Sequence, residues 1–160
     1  MQQNAALPFP DADLRTHPPR GPREQAGGLF FLPRTIDKAR AKIQGTLGLY
    51  KITPGISGYI FEALGITEDD FVEAVRTATS DNEVVDWLEA HADMSKVPEL
   101  NEMLVKRQPR DEEHRDSFKA AYPILSLRPD VWTWFEIFEL DDAWIFDPAN
   151  RGKAGSALSD

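Results

Sequence analysis

The feature that most constrains this chain is a helical hydrophobic period that is repeatedly cut short. Ile36, Ala39, Ile43 and Leu47 fall three and four apart, as do Phe71, Val75 and Ala78, and Val97, Leu100 and Leu104. Such spacing places apolar side chains on one face of a 3.6-residue turn, so each run reads as an amphipathic helix. Glycine or proline closes nearly every run: Gly45 and Gly48, Gly65, then Pro109 and Pro123. Glycine suits a left-handed C-cap, and proline removes a helical donor and clashes with the preceding turn. Start signals agree. Thr67 precedes Asp70 by three, and Ser80 with Glu83 forms a capping box. Pro98 sits in the first turn of a helix over 95–108, and Asp111 caps a helix carrying Phe118, Ala121, Tyr122 and Leu125 that Pro123 ends or kinks. After Arg128-Pro129-Asp130 comes a last, strongly apolar helix with Val131, Trp134, Phe135 and Phe138 on one side. No convincing strand is read. The fold class is all-α: a single compact domain of six or seven short helices behind an extended N-terminal arm.

That arm occupies residues 1–33. Leu7-Pro8-Phe9-Pro10 and His17-Pro18-Pro19-Arg20-Gly21-Pro22 fix φ and push neighbouring residues towards polyproline extension. Leu14 and Leu29-Phe30-Phe31-Leu32 are apolar enough to dock the arm on the body. Residues 1–10 are expected to be flexible, 11–146 to form the helical domain with the packed arm, and 147–160 to fray.

Composition removes several functions. With no cysteine among 160 residues, disulfides, thiolate metal sites and thiol nucleophiles are excluded. No apolar run approaches the ~20 residues of a membrane span, and no secretory pattern opens the chain, so a cytoplasmic protein without membrane contact is expected. The net charge of −9 opposes nucleic-acid binding. Charge is unevenly spread, however: residues 1–51 hold eight Lys/Arg against four Asp/Glu, and residues 52–160 hold ten against 23. His17, His91 and His114 stand at no metal-binding spacing, Gly55-Ile56-Ser57-Gly58 is not a nucleophile elbow, and no phosphate-loop or cofactor motif occurs. Neither a metal nor a cofactor is expected.

Asp13-Leu14-Arg15, Pro18-Pro19-Arg20-Gly21-Pro22-Arg23-Glu24, and above all Leu32-Pro33-Arg34-Thr35-Ile36-Asp37-Lys38-Ala39-Arg40-Ala41-Lys42 with Gly45-Thr46-Leu47-Gly48-Leu49-Tyr50, resemble the bacterial domain-of-unknown-function 5069 family. Trp134-Phe135 and the acidic residues after it are similar too. The resemblance covers residues 11–142 and is most specific at its N-terminal end. It implies a small bacterial intracellular domain and supplies no catalytic residue.

The candidate site is the arm with the first helix: Arg15, His17, Arg20, Arg34, Asp37, Lys38 and Tyr50. Arginine forks match carboxylates and phosphates, so the expected function is a non-enzymatic module binding an anionic small molecule or an acidic protein segment. The competing structural reading has the same cations pair with the body's excess carboxylates and clamp the arm down. Asp141-Asp142, expected at a helix end where the dipole opposes them, fit that role. Two other functions stay open. A small enzyme with His17 or a carboxylate as general acid/base requires His17 near Asp37 or Tyr50. A homodimeric interaction protein would use one of Trp132 and Trp134 at its interface.

Overall fold

The computed structural model describes residues 6–151. Eight α-helices follow a small hairpin: β1 (Gln25–Ala26), β2 (Leu29–Phe30), α1 (Leu32–Gln44), α2 (Ile56–Leu64), α3 (Glu68–Thr77), α4 (Asp81–His91), α5 (Val97–Lys106), α6 (Glu112–Asp116), α7 (Ile124–Leu127) and α8 (Trp134–Ile145). The chain is a mostly helical single domain. Among the described residues no helix is long and apolar enough to cross a membrane. Of the flexibility expected of residues 1–10 and the fraying expected of 147–160, the parts at 1–5 and 152–160 lie outside the described residues.

Local chemistry accounts for most boundaries. The Thr67 side chain accepts from Asp70 N–H, Ser80 from Glu83 N–H, Asp111 from His114 N–H and Thr133 from Glu136 N–H, each satisfying a donor that the first turn leaves open. Glu83 reaches back to the backbone N–H and hydroxyl of Thr79, one residue before the cap. Gly45 and Gly65 close α1 and α2 in the left-handed conformation.

Several expectations are corrected. The chain is not free of strands: Gln25 pairs with Phe30 and Ala26 with Leu29, antiparallel, around Gly27-Gly28. Both glycines have positive φ, 57° and 77°, as a two-residue hairpin turn requires. Two-residue strands are too short to show alternation, and their pairing depends on α5: Asn101 accepts from Phe30 N–H at 2.9 Å and donates to the Gly28 carbonyl at 2.6 Å. Phe118 and Tyr122 lie on turns between α6 and α7 rather than on one helix. α8 begins only at Trp134, leaving Val131 outside it. It then runs through to Ile145, so Asp142 falls in its last turn with Asp141 just before it, the helix-end position expected of them.

Helix α1 is the centre. Nine of its thirteen residues are buried, and these include Arg34, Lys38 and Arg40 as well as Ile36 and Ala39. Its apolar stripe faces the main core, where Phe71, Val75, Leu88, Leu104 and Phe135 meet. Behind it, Ala41 joins Ala12, Leu14 and Tyr50 in a second cluster. The arm is therefore part of the packing. Leu14 N–H donates to Thr46 O, and the Thr46 hydroxyl donates to Ala12 O. Phe9 is also buried, below the Arg40 guanidinium.

Phe31, which precedes α1, has φ 72°, a genuine outlier for a bulky residue that costs about 1–3 kcal/mol. Packing over-determines it. Its ring stacks on Phe135 at 5.9 Å and meets Phe138 at 6.1 Å, with no exposure.

The hairpin turn makes a test. A Cβ on Gly27 would lie 2.8 Å from Val85 Cγ1, whereas one on Gly28 meets nothing within 4 Å. Both substitutions carry the left-handed penalty of about 1–2 kcal/mol, and only the first adds overpacking of about 1–3 kcal/mol. Gly27→Ala is therefore expected to lower the urea midpoint clearly more than Gly28→Ala does. Equal shifts would contradict the packing of the hairpin on α4.

Candidate functional site

Residues 34 and 38 lie one turn apart on α1, on the side that faces α8, so two cations enter the interior together. Neither Arg34 nor Lys38 has any solvent exposure. The Arg34 guanidinium donates from Nη1 to Asp142 Oδ2 at 2.7 Å and from Nη2 to Asp142 Oδ1 at 3.0 Å. Tyr50 donates its hydroxyl to the same Oδ1 at 2.7 Å. The Arg20 carbonyl accepts from Arg34 Nη1 at 3.2 Å. The rings of Phe31, Tyr50 and Phe138 surround the guanidinium at 5.6–5.7 Å. Lys38 Nζ lies 5.3 Å from the Phe31 ring, and Asp141 is buried beside Asp142 on α8. Cations among aromatic faces with carboxylates at hand form a locally neutral plug.

Arg20 makes the second junction. Its backbone N–H and its Nε and Nη2 reach Asp37 on α1, at 2.8–3.3 Å. Nη1 and Nη2 reach Asp81, the first residue of α4, at 2.6 and 3.1 Å. Arg40 adds a contact to Asp81 at 3.3 Å. Burial opposes the Arg20 charge, but the hydrogen bonds to Asp81 and Asp37 outweigh it and leave its pKa raised. Those same bonds from Arg20 hold the Asp81 carboxyl below the usual range, against burial and with help from the charges of Arg20 and Arg40.

The remaining candidates lie apart from this plug. Arg15 is exposed and folds onto Asp13 through Nε and Nη2, at 2.9 and 3.0 Å. His17 is exposed, with Nδ1 donating to the Pro18 carbonyl at 3.0 Å. Its expected neighbours are engaged elsewhere, Asp37 by Arg20 and Tyr50 by Asp142. Arg23 pairs with Glu139 at 3.2 Å. The structure thus brings Arg20, Arg34, Asp37, Lys38 and Tyr50 into one contiguous polar region and leaves Arg15 and His17 at the surface. Among the described residues no group of three or more His, Asp and Glu gathers to hold a metal ion. Trp132 lies under the Arg115 guanidinium at 5.3 Å, and Trp134 is half-buried among Phe118, Tyr122 and Phe138.

Three residues stood outside the candidate site. Asp81 is the first residue of α4, and only the approach of the arm gives it a cation. Arg107 and His114 carried no motif, yet they stand at the mouth of an aromatic cavity. The recurrence of His114, Phe118 and Tyr122 at intervals of four, with Trp134 and Phe138 also four apart, was the available signal.

A helical domain built around a buried Arg–Asp–Tyr plug, with its Pro-rich arm strapped across the first helix, defines the class of protein. Residues 16–144 match a domain of unknown function, DUF5069, and the chain belongs to that family. No curated protein matches the chain.

Two outcomes follow from the plug. Arg34→Met or Asp142→Leu alone strands a buried charge, and each is expected to lower the unfolding free energy by about 3–5 kcal/mol. The double change is expected to lower it by much less than the sum, and Tyr50→Phe by about 1 kcal/mol. Denaturant titration of the full cycle measures this, and simple additivity would refute the coupling. For Asp81, the folded pKa lies below the unfolded one. Its contribution is therefore complete above the unfolded value of ~4 and is lost as pH falls through the depressed folded value. Asp81→Asn is expected to be less stable at pH 7 and to show a shallower loss of stability below about pH 4–5. Parallel stability–pH curves would refute the assignment.

Proposed function

We propose that this chain is a non-enzymatic helical module that binds a small anionic molecule, or the end of an acidic segment, with Arg15 as the arm's direct contribution. In this reading Arg20, Arg34, Asp37, Lys38 and Tyr50 serve the site from beneath, by holding the arm and α1 in place. The observation that carries the proposal is a cleft of about 680 Å³ between the arm, the loop after α1 and the end of α8. Two exposed guanidinium groups flank it, those of Arg15 and Arg151, over an apolar floor that includes Leu14 and Phe146. One acid lines the cleft, Asp147, and its carboxylate already accepts from Ala149 N–H at 2.9 Å. Arg15 contacts Asp13 through Nε and Nη2 and retains Nη1 for a ligand.

Gly48 keeps the cleft's wall in place. It has φ +61°, and a Cβ there would lie 3.0 Å from Leu14 O and 3.2 Å from Arg15 Cα. Such an approach of loop to arm suits glycine alone. The floor favours an anion with an apolar portion over a bare inorganic ion, because binding then removes hydrocarbon from water as well as pairing charge. A bacterial cytoplasmic setting is part of the same proposal, consistent with a cysteine-free chain.

A thermal-shift and calorimetric panel tests it, using hexanoate, citrate, phosphate and a short Asp/Glu peptide. At least one of these is expected to raise the melting temperature, with hexanoate above phosphate. The effect is expected to vanish in Arg15→Ala/Arg151→Ala, whose two exposed substitutions leave the fold intact. No shift with any anion, or a shift unchanged in the double variant, would overturn the proposal.

A further inference from the structure

We infer a second ligand site, for a small ring-bearing carboxylate, in an aromatic cavity at the junction of α2, α5, α6 and α8. The cavity holds about 300 Å³, at the small end of ligand pockets (~300–1,000 Å³) and suited to a one- or two-ring molecule. It shares no lining residue with the cleft at Arg15, so it stands or falls separately from the proposed function.

Four aromatic residues make its walls. Trp134 meets Phe118 edge-to-face at 4.9 Å, stacks on Phe138 at 5.6 Å and tilts against Tyr122 at 5.9 Å. Trp134 and Phe138 come from α8 and Phe118 and Tyr122 from the turns after α6, so the contacts between the two pairs are set by the fold. The Trp134 backbone N–H donates to the Arg107 carbonyl at 3.0 Å, which ties the start of α8 to the end of α5. Phe118 and Trp134 are only half-buried, so aromatic surface faces the cavity. A flat ring seated there gains offset-stacked and edge contacts of the kind the walls already make with each other.

The charge at the mouth selects the ligand. Arg107 and His114 line the cavity, and no Asp or Glu does. In a chain of net charge −9 that is a local reversal. The first turn of α2, which closes the rim at Gly55 and Ile56, carries no acidic residue either. The Arg107 guanidinium lies 4.3 Å above the Tyr59 ring. A guanidinium set over a ring still has its N–H edge to offer, and that edge pairs with a carboxylate. His114 Nδ1 accepts from Arg110 N–H at 3.2 Å, so in the neutral ring the proton sits on Nε2, a second donor. Aromatic boxes also hold quaternary ammonium groups. An arginine at the entrance and no carboxylate in the lining oppose such a cation here.

The experiment is a titration of Trp fluorescence, confirmed by calorimetry, with phenylacetate and indole-3-acetate. Their neutral amides, phenyltrimethylammonium and hexanoate serve as comparators. Saturable binding of the aromatic carboxylates is expected, with the amides at least ~10-fold weaker because the charge-assisted pairing is lost. Arg107→Met is expected to weaken the carboxylates by ~10-fold or more and to leave the amides unchanged. Phe118→Ala is expected to weaken both classes, and Arg76→Met, a remote arginine on α3, neither. Circular dichroism of each variant separates lost binding from lost fold. Tighter binding of the ammonium compound, equal binding of acid and amide, or no saturable binding by any ring compound would each overturn the inference. Hexanoate binding that survives Arg107→Met but is lost in Arg15→Ala/Arg151→Ala would support the arm cleft alone.

Discussion

The structure depends on one buried ion pair. Arg34 and Asp142 are 108 positions apart, yet their two parallel hydrogen bonds join the central helix to the last one. Removing both charges from water is expensive, and a fork geometry with every acceptor used is what offsets it. Tyr50 completes one carboxylate oxygen, and the Arg20 carbonyl takes a further guanidinium hydrogen. The pair therefore also fixes the loop after α1 and the arm that crosses it. Phe31 and Phe138 close the surroundings, and the unusual backbone of Phe31 is held by the same ring packing. Few single interactions touch so many segments.

The charge asymmetry of the chain takes on a physical meaning in this arrangement. The basic N-terminal third is not a surface offered whole to an external partner. Arg20, Arg34 and Arg40 turn towards carboxylates of α1, α4 and α8, and Arg23 towards Glu139. The excess acid of the body and the excess base of the arm are two halves of one set of contacts. Docking is then shared between charge and hydrocarbon, since Leu14 and Phe9 are buried along the same strap. The open cavities lie at the edge of this clamp and among the aromatic rings beyond it. Both are places where an arginine keeps N–H groups outside the internal network.

Legibility varied with the range of the interaction that decided each feature. The caps at Thr67, Ser80 and Asp111, and the glycine stops after α1 and α2, were readable because donor and acceptor lie within one turn. Arg34, Lys38 and Lys42 were readable as a row on one face of α1. That two of the three lie in the interior was not, because periodicity reports a face without reporting what covers it. Asp141-Asp142 were expected to hold the basic arm, whereas Asp142 pairs with Arg34 of the first helix. The hairpin was hidden by its length, and Asp81 by the fact that a helix-start aspartate needs no further explanation.

By itself the sequence determined a short-helix, single-domain architecture with an anchored arm. The hydrophobic period, the caps and the proline spacing are local quantities and act on the backbone whatever the rest of the chain does. Tertiary structure alone decided which arginines are spent inside and which stay at the surface. A side chain's partner is set by distances between segments far apart in sequence, and a guanidinium that looks identical on paper can be fully buried at Arg34 or exposed at Arg15 and Arg107.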